Sequence, residues 1–132
     1  MPPEAGSREV LGLLENKISE DAFSYYQRLG RVQDYVRVHY SAPITLADAA
    51  RVAGLERTYF SKFFHQKTGV RYHEWLTWVR VSRAIELMKR RNLSITEIAF
   101  AVGFGDLTTF ERACRRCTGS TPMMLKKRLR PC

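Results

Sequence analysis

The sequence has little of what a membrane protein, a secreted scaffold or an enzyme needs. No apolar run approaches the roughly 20 residues of a membrane span. The start carries no basic stretch followed by an apolar core and a small-residue cleavage site, so no secretory signal is read and a cytoplasmic location is expected. Cysteine is scarce: Cys114, Cys117 and Cys132, an odd count that argues against a disulfide framework. The three histidines, His39, His65 and His73, show no ligand spacing, so no metal site is nominated. There is no glycine-rich phosphate loop, no nucleophile with its base and orienting group, and no paired carboxylates in a suitable setting. No catalytic residue, cofactor or enzymatic activity is expected. Period-2 alternation is scarce too, which leaves helix as the main element.

What is present is positive charge, unevenly placed. The 132 residues hold 22 Lys+Arg against 13 Asp+Glu, a net charge of +9. Residues 1–30 hold three basic and five acidic side chains, so residues 31–132 hold 19 and 8. A basic segment behind a mildly acidic leader points to a polyanionic partner.

The chain also repeats itself. TLADAARVAG (45–54) lies over SITEIAFAVG (94–103) at an offset of 49. Thr45 and Ser94 are N-cap residues, followed three positions later by Asp48 and Glu97; the capping box is full in the second copy and approximate in the first. Leu46, Ala49, Ala50 and Ala53 form an apolar stripe at helical spacing, matched by Ile95, Ile98, Ala99 and Val102. Gly54 and Gly103 stop each helix. After one extra residue in the second turn, RTYFSKFFHQKTG (57–69) lies over LTTFERACRRCTG (107–119) at an offset of 50. Phe60, Phe63 and Phe64 are answered by Phe110, Ala113 and Cys114, and Gly69 and Gly119 close both helices. Each copy is a helix, a glycine-containing turn and a second helix: two helix-turn-helix units, at about 45–69 and 94–119.

Between them, residues 72–91 read as one helix with apolar residues around most of its circumference, a strut between two lobes. About 19 residues at 1.5 Å each span roughly 28 Å, against about 34 Å between successive major-groove faces of B-DNA. Val32, Tyr35 and Val36 mark an earlier helix that Ala42-Pro43 interrupts. A last helix begins at Thr121-Pro122, with a basic tail of Lys126, Lys127, Arg128 and Arg130. Residues 1–30 read as an extension: MPPEAGS without order, then one or two amphipathic helices through Val10, Leu11, Leu14, Ile18, Phe23, Tyr26 and Leu29, expected to pack on the domain at 31–130.

In each second helix the apolar stripe fixes the outward face. It carries Thr58, Ser61, Lys62 and His65 in the first copy, and Thr108, Glu111, Arg112 and Arg115 in the second. Arg112 would pair bidentately with guanine O6/N7, and Lys62 would donate to the same atoms. Thr58, Ser61 and Thr108 would bond base edges or meet a thymine methyl, Glu111 would accept from cytosine N4, and Leu107 would touch a thymine methyl. Arg57, His65, Lys67, Arg115 and Arg116 are expected on phosphates, which position without specifying.

Two segments resemble the AraC/XylS family of bacterial regulators. GLERTYFSKFFHQKTGVRYHEWLTWVRVSRAIELM is similar to that family's first recognition helix and linker helix. ITEIAFAVGFGDLTTFERACRRCTGSTP is similar to its signature over the second unit, with I-A-x-x-x-G-F and the closing G-x-(S/T)-P. The resemblance covers about residues 31–130. It implies an all-α, seven-helix domain of two helix-turn-helix lobes joined by a long central helix, here behind an N-terminal helical extension. It also implies binding to promoter DNA, contact with RNA polymerase, and most often activation. The family's base-reading positions fall on Thr58, Ser61, Lys62, Leu107, Thr108 and Arg112. Cys114 stands where the family usually has an aromatic, and PMMLKKR replaces the usual Pro-x-x-Tyr-Arg ending. No large effector-binding domain is present in the 132 residues, so the chain resembles the short MarA/SoxS-like members or the C-terminal domain of a longer regulator. A tandem pair reads two half-sites without a partner copy, so a monomer on DNA is expected, associated with the nucleoid. Two other readings stand beside this one: a thiol- or metal-responsive regulator using Cys114 and Cys117, and a nonspecific architectural DNA binder.

Overall fold

A computed structural model describes residues 17–90 and 92–129, and all regular structure among them is helical. The helices are α1 (Asp21–Tyr25), α2 (Gln27–His39), α3 (Leu46–Ala53), α4 (Arg57–Thr68), α5 (Tyr72–Arg90), α6 (Ile95–Ala101), α7 (Leu107–Thr118) and α8 (Pro122–Leu129). The seven expected helices are α2 to α8, and α1 precedes them. Val10, Leu11, Leu14, Arg91, Arg130 and Cys132 lie outside the described residues. The chain divides into two compact units, one ending at Leu76 and the other taking up the chain at Thr77.

In the N-terminal unit, each helix of the first helix-turn-helix has its own start and stop chemistry. The Thr45 hydroxyl accepts from the Asp48 amide at 3.1 Å while the Asp48 carboxylate accepts from the Thr45 amide at 2.9 Å. This capping box is therefore complete, where the sequence suggested only an approximate one: aspartate, though shorter than glutamate, reaches back far enough. Gly54 ends α3 with φ at 72°, and Leu55 N–H closes on the Ala50 carbonyl at 3.0 Å. Arg28 adds a second stop by donating to the Ala53 carbonyl at 2.6 Å.

The core of this unit is aromatic. Phe60, Phe64, Tyr72 and Trp75 are buried, with neighbouring ring centroids 5.5 to 6.2 Å apart. Phe23 closes the cluster, stacked on Trp75 at 5.0 Å and edge-on to Phe64 at 5.9 Å. Ile18, Ala22 and Leu29 are buried as well. Ile18, Phe23 and Leu29, expected to pack on the domain, are thus part of this core, and α2 runs across position 30/31. The periodicity of a short amphipathic segment shows that one face is apolar, not what covers it.

The C-terminal unit repeats the pattern. Ser94 and Glu97 form the second capping box, at 3.0 and 3.3 Å. Phe104 N–H closes on the Ala99 carbonyl at 3.0 Å, the counterpart of Leu55 on Ala50. Val81, Ala84, Ile85 and Met88 of α5 are fully buried in company with Ile98, Ala99, Val102, Phe110, Cys114, Cys117 and Leu125. Thr121 caps α8 through the Met124 amide at 3.3 Å, and Lys126 reaches the Leu93 carbonyl at 2.6 Å.

Candidate nucleic-acid interface

The two second helices, α4 and α7, are built alike from the inside out. Glu56 caps α4 by accepting from the Tyr59 amide at 3.0 Å, and Asp106 caps α7 by accepting from the Thr109 amide at 2.7 Å. These hydrogen bonds, the largest influence on each group, hold both carboxyls below their ordinary pKa. At the far ends, the Thr68 hydroxyl donates to the Phe64 carbonyl at 2.7 Å, and the Thr118 hydroxyl to the Cys114 carbonyl at 2.6 Å. Gly69 and Gly119 follow at φ of 88° and 79°. The same caps and stops recur fifty residues apart, so equivalent side chains hold equivalent places on the two helices.

Phe60, Phe64 and Thr68 turn α4 inward, and Phe110, Ala113, Cys114 and Cys117 do the same for α7. At about 100° per residue, the opposite face of α4 carries Thr58, Ser61, Lys62 and His65, and that of α7 carries Thr108, Glu111, Arg112 and Arg115. All are exposed except Ser61, which is half-buried. Arg57 and Arg116 flank these faces in the open, and Leu107 is half-buried at the start of α7. Lys67 stands apart. It lies about half a turn round α4, with its ammonium 5.2 Å from the centre of the Tyr26 ring and 6.0 Å from that of Phe63.

Ion pairs form elsewhere, on Asp34, Asp48 and Glu86. Among the described residues, Lys62, Arg112, Arg115 and Arg116 have no ion-pair partner, and they stand toward solvent. Such cations are ready for an external anion without first breaking an internal bond.

The cysteines have a different setting. Cys114 and Cys117 are fully buried on successive turns of α7. Burial pushes the Cys114 thiol up to about 12 and the Cys117 thiol up to about 11. A protonated, shielded thiol packs as a small apolar group and is a poor nucleophile. No group of three His, Cys, Asp or Glu side chains among the described residues is placed to hold a metal ion. Nor is any helix among them long and apolar enough to cross a membrane.

Several structural residues escaped the sequence reading: Glu56 and Asp106 as caps, the buried Thr68 and half-buried Thr118 as hydroxyl donors to the last turns, and Arg28 as a C-terminal cap. The first two had a signal, an acidic residue three positions before Tyr59 and Thr109. The Thr-Gly pairs at 68–69 and 118–119 were visible only as part of the repeat. Arg28 had no local signal, because its partner is 25 residues away.

Comparison with known proteins places this arrangement. A family model described as "Helix-turn-helix domain" matches residues 49–128. The HTH-type transcriptional regulator YpdC of Escherichia coli is 34% identical over 100 residues, which is 76% of this chain and 34% of YpdC. The chain spans about a third or less of the length of the first curated relatives it matches. Among solved structures, the DNA-binding domain of AdpA, a global transcriptional factor held in complex with a target DNA, superposes with a TM-score of 0.71 at 26% identity, over 77% of this chain and 95% of that one. A probable AraC family transcriptional regulator from Rhodopseudomonas palustris shares the fold with a TM-score of 0.72 at 24% identity, over 80% of this chain and all of that one.

Proposed function

The chain belongs to the AraC-type family of helix-turn-helix DNA-binding domains, whose members are transcription regulators rather than enzymes, and we propose that it reads a specific promoter site by placing α4 and α7 in successive segments of the major groove. The observation that carries this reading is the repetition of one exposed polar face on both helices, in the same register between equivalent caps and stops. A protein that only coats DNA needs charge; it does not need two equivalent faces.

The roles follow from side-chain chemistry. Arg112 pairs with guanine and Lys62 donates to the same edge; Thr58, Ser61 and Thr108 meet base edges or a thymine methyl; Leu107 touches a methyl; Glu111 accepts from cytosine N4. Arg57, His65, Arg115 and Arg116 hold phosphates. Lys67, engaged with Tyr26 and Phe63, is left out of the phosphate set. The chain acts as a monomer on its site, in the cytoplasm and on the nucleoid. It works as an activator that contacts RNA polymerase, the usual mode implied by its family.

Selection of bound sequences from random duplex DNA, at a fixed salt of about 150 mM, tests the reading. Two enriched blocks about 10 base pairs apart are expected. One block would limit base reading to a single unit. No enrichment, or a specific-to-random affinity ratio well below about 10³, would replace regulation by nonspecific binding.

A further inference from the structure

The N-terminal unit carries a cleft of about 450 Å³ that DNA reading does not use. Its walls are rings: Tyr25, Tyr26, Tyr59 and Phe63. Tyr25 and Tyr59 are 80% and 59% exposed, so their flat faces stand largely open. The wall is nonetheless held in shape. Tyr26 meets Tyr25 edge-on at 4.8 Å and Phe63 edge-on at 5.5 Å, and Tyr59 stacks along Phe63 at 6.3 Å. Leu55 adds an apolar contact from the turn before α4.

Arg28 is the one charged side chain among the residues that line the cleft. Arg28 lines it and is anchored there, one guanidinium nitrogen held by the Ala53 carbonyl at 2.6 Å. A fixed guanidinium loses little freedom when a second anion meets its remaining donors. Gln27 and Arg28 are also the first residues of α2, a 13-residue helix that no side chain caps at its N-terminus. That end carries the positive pole of the helix dipole. No carboxylate lines the cleft. An aromatic cage for an organic cation needs the opposite balance, electron-rich rings without a competing positive charge.

We infer that this cleft is a binding site for a small planar aromatic anion, its ring lying against Tyr25 and Tyr59 and its carboxylate or phosphate held by Arg28 at the start of α2. A cleft of this size is within the range of small-molecule sites, and Gln27 and Arg28 add polar groups to its aromatic lining. The site does not depend on whether α4 and α7 read DNA, so the two ideas stand or fall separately.

Calorimetric titration of the whole chain with 2-naphthoate tests it. Saturable binding with a Kd below about 1 mM is expected. Cyclohexanecarboxylate, which keeps the charge and loses the flat ring, binds at least about tenfold more weakly, as does the neutral methyl ester of 2-naphthoate. Tyr25→Ala and Tyr59→Ala each weaken naphthoate binding about tenfold, whereas Val38→Ala, on an exposed part of α2, leaves it unchanged. Tyr25 is exposed enough that its loss leaves the fold intact, which an unaltered circular-dichroism melt will verify. The inference is overturned by an absence of saturable heat, by naphthoate binding that ignores both tyrosine substitutions, or by inorganic phosphate or benzyltrimethylammonium binding as tightly as naphthoate.

Discussion

The guanidinium of Arg28 donates to the carbonyl of Ala53 at 2.6 Å and lies 3.3 Å from that of Gly54, tying the start of α2 to the end of α3. A cation at a helix C-terminus answers both the dipole and the carbonyls that have no partner within the helix. Arg28→Ala is expected to cost about 1–2 kcal/mol. Urea unfolding followed by tryptophan fluorescence reads this directly, and an unchanged midpoint would mean that the bond adds nothing beyond what water supplies.

Glycines at 69 and 105 respond in opposite ways to alanine. Gly69 has φ at 88°, and a Cβ there would stand 2.6 Å from the Lys17 carbonyl oxygen. Gly105 is free of both constraints, with nothing within 4 Å of an added Cβ. Gly69→Ala is expected to destabilise by more than about 1 kcal/mol, whereas Gly105→Ala stabilises by roughly 0.4–1 kcal/mol through the unfolded chain. Equal effects in thermal melts would contradict the backbone assignment.

Arg112→Ala is expected to weaken specific DNA binding by about 1–3 kcal/mol and to relax selection at one base pair. Arg116→Ala, which removes a phosphate contact, should weaken all sequences alike and lower the salt slope by about 1. Binding titrations at three salt concentrations separate the two. If Arg112→Ala lowered every sequence equally, Arg112 would be a phosphate anchor.

Three capping carboxylates tie stability to acid. Asp48, Glu56 and Asp106 are held below ordinary values of 3.8, 4.5 and 3.8, chiefly by backbone hydrogen bonds to Thr45, Tyr59 and Thr109. A carboxylate with a depressed folded-state pKa contributes fully above its ordinary value and loses that contribution as pH falls through the folded one. The Tm is therefore expected to fall once pH drops below about 4.5. Asp106→Asn keeps a capping side chain but no titrating group, so it should flatten part of that slope. A slope identical to that of the parent chain would assign the acid sensitivity to other carboxylates.

Cys114 and Cys117 should resist alkylation in the folded chain at pH 8, because their thiols are pushed up to about 12 and about 11 and have no solvent path. Peptide mapping after iodoacetamide treatment, with and without denaturant, gives the comparison. Labelling at the rate of a free thiol would restore the redox-responsive reading.

Local chemistry made much of this protein legible before any coordinates. Caps, apolar stripes and glycine stops each act within a few residues, so α3, α4, α6 and α7 and the outward sides of Thr58, Lys62, Arg112 and Arg115 followed from spacing alone. The repeat strengthened each inference, since two copies with the same periodicity restrict one another. What tertiary structure decided was pairing across distance. Phe23 became core because Phe64 and Trp75 left a gap for one more ring. Arg28 became a cap because α2 begins beside the end of α3. Lys67 turned to Tyr26 and away from the outward face of α4, and the tyrosines at 25, 26 and 59 came to line one cleft. None of these has a periodicity: each depends on where the chain returns after tens of residues, and only the packed aromatic core fixes that.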